Sequence, residues 1–234
     1  MKAVQKLPVM VSWSGGKDSL LMLRQLQQSE QYKVAGLMTT VEEGTHQVVM
    51  HGFPVELIEQ QAQSLGLPLE KVYLPARAPN EVYEARMKEV ARQHRDRGIT
   101  HWAFGDIYLE DIRQYREGLC QRIGMTPLFP LWGQDTRSLA WQFIEDKNRA
   151  VLIVVDTRVL KPTFLGKFFN SEFLRRLPNW IDPCGERGEF HTFVFSSPSF
   201  RFPVEVEVKS LESKGVFWVA RIRSRGNSDS KKES

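Results

Sequence analysis

Ser12-Trp13-Ser14-Gly15-Gly16-Lys17-Asp18-Ser19 decides how the rest of this chain reads. Ahead of it, Val9 to Trp13 is a short apolar run of strand length. After it, Lys17 to Gln28 carries leucines toward one side at helical spacing. A strand, a Gly-rich turn and a helix N-terminus make an anion site for physical reasons. Glycines let the backbone approach an anion, first-turn N–H groups lack intrahelical acceptors, and the helix dipole favours negative charge. Lys17 adds a cation, and the Ser14 and Ser19 hydroxyls can donate to phosphate oxygens. A Walker A loop needs glycine where Val11 stands and Ser or Thr where Asp18 stands, so this is not one. An acid in that place points to a metal bridge or an orienting role. The alternative reading is a polar turn that caps a helix.

Outward from the loop, strand-like and helix-like segments alternate. Lys33 to Thr40 reads as a strand, and Pro54 sits at the start of a helix whose Leu57, Ile58, Ala62 and Leu65 form a stripe ended by Gly66. Leu69 to Leu74 is a third strand. Asn80 caps a helix with Tyr83, Met87, Val90 and His94 on one face, ending at Gly98. His101 to Phe104 and Leu109 to Ile123 continue the alternation, and the two prolines of Thr126 to Trp132 suit an edge strand or an extended linker. The pattern predicts an α/β fold, a doubly wound parallel five-stranded sheet with helices on both faces. Beyond it, a helix (Arg137 to Glu145), a strong strand (Ala150 to Val155) and a hairpin (Phe200 to Val208 with Val216 to Ile222) predict a smaller α+β domain. The division expected is 1–132, 133–223 and a disordered tail, 224–234.

The 234 residues carry 32 Lys and Arg against 28 Asp and Glu, a net charge of +4. Residues 221–234 hold five basic and two acidic side chains, so the remainder is nearly balanced and a nucleic-acid groove is not expected. No apolar run reaches the ~18–20 residues of a membrane span, and the N-terminus lacks the pattern of a signal peptide. Two cysteines without CxxC spacing, Cys120 and Cys184, suit a reducing cytoplasm.

The Ser14 to Ser19 motif after a first strand resembles the signature of the PP-loop ATP pyrophosphatases, which have a HUP-like fold and cleave ATP between its α- and β-phosphates. Within them, the chain to about residue 222 resembles the diphthine–ammonia ligase family. The resemblance rests on Met50-His51-Gly52, Gly105-Asp106, Pro130-Leu131-Trp132-Gly133 and Asp182-Pro183-Cys184-Gly185-Glu186-Arg187-Gly188-Glu189-Phe190-His191-Thr192. Arg187 stands where that family usually has glycine, and His191 where it usually has a second acid. The same departures occur in bacterial-type relatives, so the acceptor implied is a carboxylate other than diphthine.

The resemblance implies an ATP-dependent ligase that adenylates a carboxylate, releases pyrophosphate and lets ammonia displace AMP. ATP contacts are expected at Ser12, Ser14, Gly15, Gly16, Lys17, Asp18, Ser19, Met38, Thr39, Gly105 and Asp106, with Mg2+ at Asp18 and Asp106. The acceptor side is expected at Gly185, Glu186, Gly188, Glu189, His191 and Thr192. Lys17, Asp18, Glu189 and His191 are the expected catalytic residues. In an extended segment Glu189 and His191 face one side; they could orient ammonia, bind magnesium, take a proton, or cap backbone groups of a Gly-rich turn. Partners are then a small-molecule or protein-borne carboxylate and ammonia, with a homodimer as an option. Two other readings are a tRNA-modifying PP-loop enzyme and a nucleotide sensor without turnover. Cys184 reads as structural, Trp180 as a core or interface aromatic, and Glu110, Asp111, Arg113, Arg116 and Glu117 as a charged helix face, solvated by default or in contact with the acceptor.

Overall fold

The computed structural model describes residues 5–49 and 51–225. Met50 of the second motif and residues 226–234, most of the expected disordered tail, lie outside the described residues.

Strand and helix alternate from the start: β1 (Leu7–Ser12), α1 (Lys17–Gln28), β2 (Tyr32–Glu42), α2 (Val55–Leu65), β3 (Leu69–Leu74), α3 (Asn80–Asp96), β4 (His101–Ala103), α4 (Glu110–Ile123) and β5 (Thr126–Leu128). The strands pair in the order β3-β2-β1-β4-β5, every pair parallel. Winding runs outward from β1 to β3 and then restarts on the other side at β4. The ends of β1 and β4 therefore border the switch-point crevice where ligands of such sheets bind.

Alternation along β1 explains the two covered faces. Val9 and Val11 join a buried cluster with α1 and α2, while Met10 joins another with Met87, Trp102 and Ile123. Both sides are dry, as an all-parallel sheet requires.

The second half contributes α5 (Thr136–Glu145), β6 (Arg149–Asp156), β7 (Phe168–Phe169), α6 (Ser171–Arg176), β8 (Phe190–Ser196), β9 (Val206–Lys214) and β10 (Phe217–Ser224). Central β6 pairs antiparallel with β7, β8 and β10. Its Leu152, Val155 and neighbouring Phe193 belong to the same buried cluster as Val9 and Leu20, so apolar packing runs without a break between the two sheets. Among the described residues, no helix is long and apolar enough to cross a membrane.

Four local readings shift. β2 continues past Thr40 because β3 pairs with it from Leu37 through Glu42. Pro54 is the cap of α2 rather than its first residue. Pro79 occupies the cap of α3, and Asn80 makes no capping bond. The hairpin begins at Val206 rather than Phe200, because Arg201 and Phe202 are tied to Ser64 of α2 instead of to a strand.

Gln61 of α2 joins the sheets. Wholly buried, it accepts from Trp13 Nε1 at 2.8 Å and donates through Nε2 to the carbonyls of Gly15 (3.1 Å) and Val194 (2.6 Å). Each buried polar group left without a partner costs about 1–3 kcal/mol. Gln61→Leu is expected to lower stability by about 3 kcal/mol, read as an earlier urea midpoint with unchanged slope; a midpoint within error of wild type would mean that other groups hold the loop.

Candidate active site

The Gly-rich turn between β1 and α1 is shaped by what presses on it. Gly15 has φ +78°, and a Cβ there would lie 2.7 Å from Ile58 Cδ1. Its carbonyl accepts from Val194 N of β8 at 2.9 Å. Ser14 Oγ accepts from Gly16 N at 3.2 Å and lies 3.3 Å from Ser19 Oγ, which donates to Gly16 O at 2.8 Å. The Lys17 amide donates to Thr192 Oγ1 at 3.1 Å. Helix α1 therefore starts under the second sheet, not in open solvent.

The Lys17 side chain is buried. Its ammonium donates to Asp18 Oδ2 at 2.8 Å and to the Cys184 carbonyl, and lies over the rings of Phe190 (5.4 Å) and Phe169 (5.7 Å). Burial pulls its pKa down, but Asp18, Cys184 and Glu186 outweigh that effect and hold it above the ordinary lysine value. Asp18 Oδ1 and Asp106 Oδ2 are buried without a hydrogen-bond partner. Burial pushes the Asp106 carboxyl up, with Asp18 adding to the effect.

The 182–189 turn is knitted by two carboxylates. Asp182 Oδ1 accepts from Cys184 N (2.8 Å) and Glu186 N (3.3 Å). Glu189 accepts from Asp182 N (3.2 Å) and Arg187 N (3.0 Å), one on each oxygen. Gly185 has φ +70°, and a Cβ there would sit 2.7 Å from Phe190 O. The turn so formed aims Glu186 inward, where its Oε1 accepts from Ile107 N at 2.7 Å. Burial pushes the Glu186 carboxyl up to about 7, with Asp18 and Asp106 adding to the effect.

Two adjoining cavities result. One of about 210 Å³ is lined by Gly16, Lys17, Asp18, Asp106, Glu186 and His191, among others. The other, about 520 Å³, is bordered by Met38 and Thr39 of β2, Leu74 and Tyr83, a size and polarity suited to a small ligand. His51 lines both and stands edge-on to His191, ring centroids 5.0 Å apart. Burial drives the His51 ring down to about 3 and the His191 ring down to about 4; His191 adds to the first effect and Lys17 to the second.

Most of the residues singled out in the sequence meet here. Ser12, Ser14, Gly16, Lys17, Asp18, Ser19, Gly105, Asp106, Gly185, Glu186, His191 and Thr192 line the smaller cavity, while Met38 and Thr39 line the larger. Gly15, Gly188 and Glu189 are not among the lining residues: Gly15 is turned to Val194 and Gln61, and both Glu189 oxygens are spent on backbone amides. Of the four options for the Glu189–His191 pair, backbone capping is what Glu189 does, and only His191 faces the cavity. Trp180 is 72% exposed and no part of a core. Arg116 lines both cavities instead of lying on a solvated helix face. Gln61 and Asp182 were missed: Asp182 is signalled by its place in the motif, Gln61 by nothing in the sequence. Among the described residues, no three His, Cys, Asp or Glu side chains form a metal-holding group.

A Gly-rich loop at the switch point of a 3-2-1-4-5 parallel sheet, roofed by an antiparallel sheet, defines an α/β protein of the HUP type. Residues 7–127 match the model of the diphthamide synthase N-terminal domain and residues 135–226 that of its C-terminal domain, so the chain belongs to the diphthamide synthase family. A zebrafish (Danio rerio) protein named diphthine–ammonia ligase is 26% identical over 223 residues, 83% of this chain and 84% of the relative. The mouse (Mus musculus) protein of that name is 25% identical over 225 residues, covering 83% and 80%. With the cattle (Bos taurus) protein of that name, 29% identity spans 133 residues, and the match covers about half (48%) of that relative's length.

The two histidines set a pH dependence with a definite sign. Their folded pKa values lie below the ordinary 6.5, so between pH 6.5 and about 4 the unfolded chain takes protons that the folded chain refuses. Stability contributed by this pair is therefore complete above pH 6.5 and falls as pH drops toward 4. His191→Phe is expected to make the stability profile shallower over that interval in denaturant titrations, with His51 keeping the rest of the slope; a slope identical to wild type would place the His191 ring in contact with water.

Proposed function

We propose that this chain is an ATP-dependent ligase that forms AMP and pyrophosphate, adenylating a carboxylate and passing the acyl group to ammonia. The observation that carries the reading is the closure of the Cys184–Thr192 segment onto the Gly-rich loop. Lys17 N to Thr192 Oγ1, Lys17 Nζ to Cys184 O and Val194 N to Gly15 O fasten the two segments around one polar cavity. The name borne by the zebrafish and mouse relatives supports the same chemistry.

In this reading the loop from Ser14 to Ser19 holds the β- and γ-phosphates, and the nucleoside occupies the larger cavity beside Ser12, Met38 and Thr39. Asp18 and Asp106, each with a buried oxygen lacking a partner, fit Mg2+, which is commonly held by one or two carboxylates plus phosphates. Bound there, Mg2+ would spread the charge of the departing pyrophosphate. The chain's own part is to position two anions and to exclude water.

The acceptor meets Gly185, Glu186, His191 and Thr192. A base for the incoming amine works best with a pKa near the operating pH. Glu186, near 7, fits better than His191, near 4. Glu189 is a positioning residue that sets the turn, as Gly188 does. Of the two departures, His191 lines this space, which agrees with an acceptor other than diphthine, while the Arg187 guanidinium lies over the Tyr108 ring at 5.9 Å. Sulfur transfer to tRNA finds less support: Cys184 is buried, donates to Thr136 O at 3.3 Å, and has its thiol pKa driven up by burial.

Incubation with ATP, Mg2+, ammonium and a cell-derived pool of carboxylates is expected to release AMP and pyrophosphate; ADP and phosphate would refute the cleavage assignment. Lys17→Met keeps the stem packed over Phe169 and Phe190, and is expected to cut this turnover at least tenfold, about 1.4 kcal/mol or more in the barrier. Glu186→Gln is expected to retain ATP binding while removing the limb near pH 7 from the rate profile of amide formation.

A further inference from the structure

Five residues line both cavities: Ser12, Ser14, His51, Phe104 and Arg116. Their position follows from the topology. Ser12 ends β1 and Ser14 follows it, Phe104 directly follows β4, and Arg116 reaches over the switch point from the middle of α4. A nucleotide with its triphosphate in the loop and its base in the larger cavity must pass its α-phosphate through this junction. Of the five, Arg116 is the one with a permanent charge, because the buried His51 ring stays neutral at pH 7.

The guanidinium is placed but not spent. Its Cζ lies 4.9 Å from the centroid of the Phe104 ring, a cation–π contact. Nη1 reaches Tyr83 Oη at 3.5 Å. Asp106 Oδ2 lies 3.9 Å from Nε, and that Nε is buried with no hydrogen-bond partner. A buried donor without an acceptor is costly, and here it belongs to a group suited to paired oxygens.

We infer that Arg116 is a catalytic residue that clamps the α-phosphate of the nucleotide at the junction of the two cavities. This rests on the ligase reading above and deepens it. In the adenylation step, a carboxylate oxygen forms a bond to the α-phosphorus as the bond from that phosphorus to the pyrophosphate bridging oxygen breaks. The bonding electron pair leaves with pyrophosphate, and no proton is transferred. Negative charge on the α-phosphate's equatorial oxygens is what a fixed guanidinium stabilises. Lys17, turned toward Asp18 and Cys184, serves the other end of the triphosphate.

AMP and adenosine differ only in the α-phosphate, so their affinities isolate this contact without the acceptor. Calorimetric titration of the full chain is expected to show AMP binding at least about tenfold more tightly than adenosine, the scale of one charge-assisted contact. In Arg116→Gln that ratio is expected to fall to about twofold or less, with adenosine affinity and thermal unfolding unchanged; Arg116→Lys should restore part of it. An unchanged ratio in Arg116→Gln with intact ATP binding would overturn the assignment alone, and that is also the result if the guanidinium serves the acceptor's carboxylate. Parallel loss of AMP and adenosine in both variants would make Arg116 a structural residue. A wild-type chain that binds neither AMP nor ATP would overturn the ligase reading, and this inference with it.

Discussion

The amide of Lys17 donates to the hydroxyl of Thr192, 175 positions further along the chain, and the arrangement of the active-site region follows from that bond and its neighbours. A Gly-rich turn is compliant by nature, since glycines leave many backbone conformations open. This one is fixed from two sides, by β8 and by α2. Val194 N holds the Gly15 carbonyl, Gln61 holds the same carbonyl from α2, and Ile58 leaves no room for a Cβ at Gly15. Each of these groups lies outside the turn, so its conformation is a tertiary property. The second sheet is consequently part of the loop, and a nucleotide bound in the loop would lie directly beneath the 184–192 segment.

Electrostatics sharpen the same point. Lys17 is sheltered from water, yet it remains charged because Asp18 and Glu186 surround it. Asp106 and Glu186, on the far side, are pushed toward their neutral forms by burial. The result is a pocket of acids with one buried ammonium, a balance that Mg2+ and a polyphosphate would complete. The adjoining cavity is less polar and is bordered by neutral histidine and aromatic rings. In the proposed reaction, this gradient from charged to less polar would orient an adenine nucleotide across the junction at Arg116.

How much of this the sequence discloses varies with the range of the interaction. Parallel strands buried on both faces announce themselves as apolar runs such as Val9 to Trp13, and the strand–helix alternation is local, so the five-stranded sheet is legible. The loop is legible for the same reason: Gly15, Gly16 and Lys17 are neighbours. Element ends are less so, because β2 is extended by pairing with β3, and the hairpin is shortened by bonds from Arg201 and Phe202 to Ser64. Side-chain direction is hardest. Glu186 and Glu189 sit in one motif, and only the fold of the turn reveals that one faces the cavity while the other ties down amides. Arg116 looks like any charged residue on a helix until Phe104 is seen beneath it. Gln61 stands in no motif at all.

In the proposed function, the Gly-rich loop and the 184–192 segment form a single nucleotide-responsive site. Hydrogen exchange with and without ATP and Mg2+ tests it most directly. Slowed exchange in both residues 12–19 and residues 182–194, appearing at the same ATP concentration, is the predicted result. Protection confined to the first sheet, with exchange in 182–194 unaltered, would contradict it.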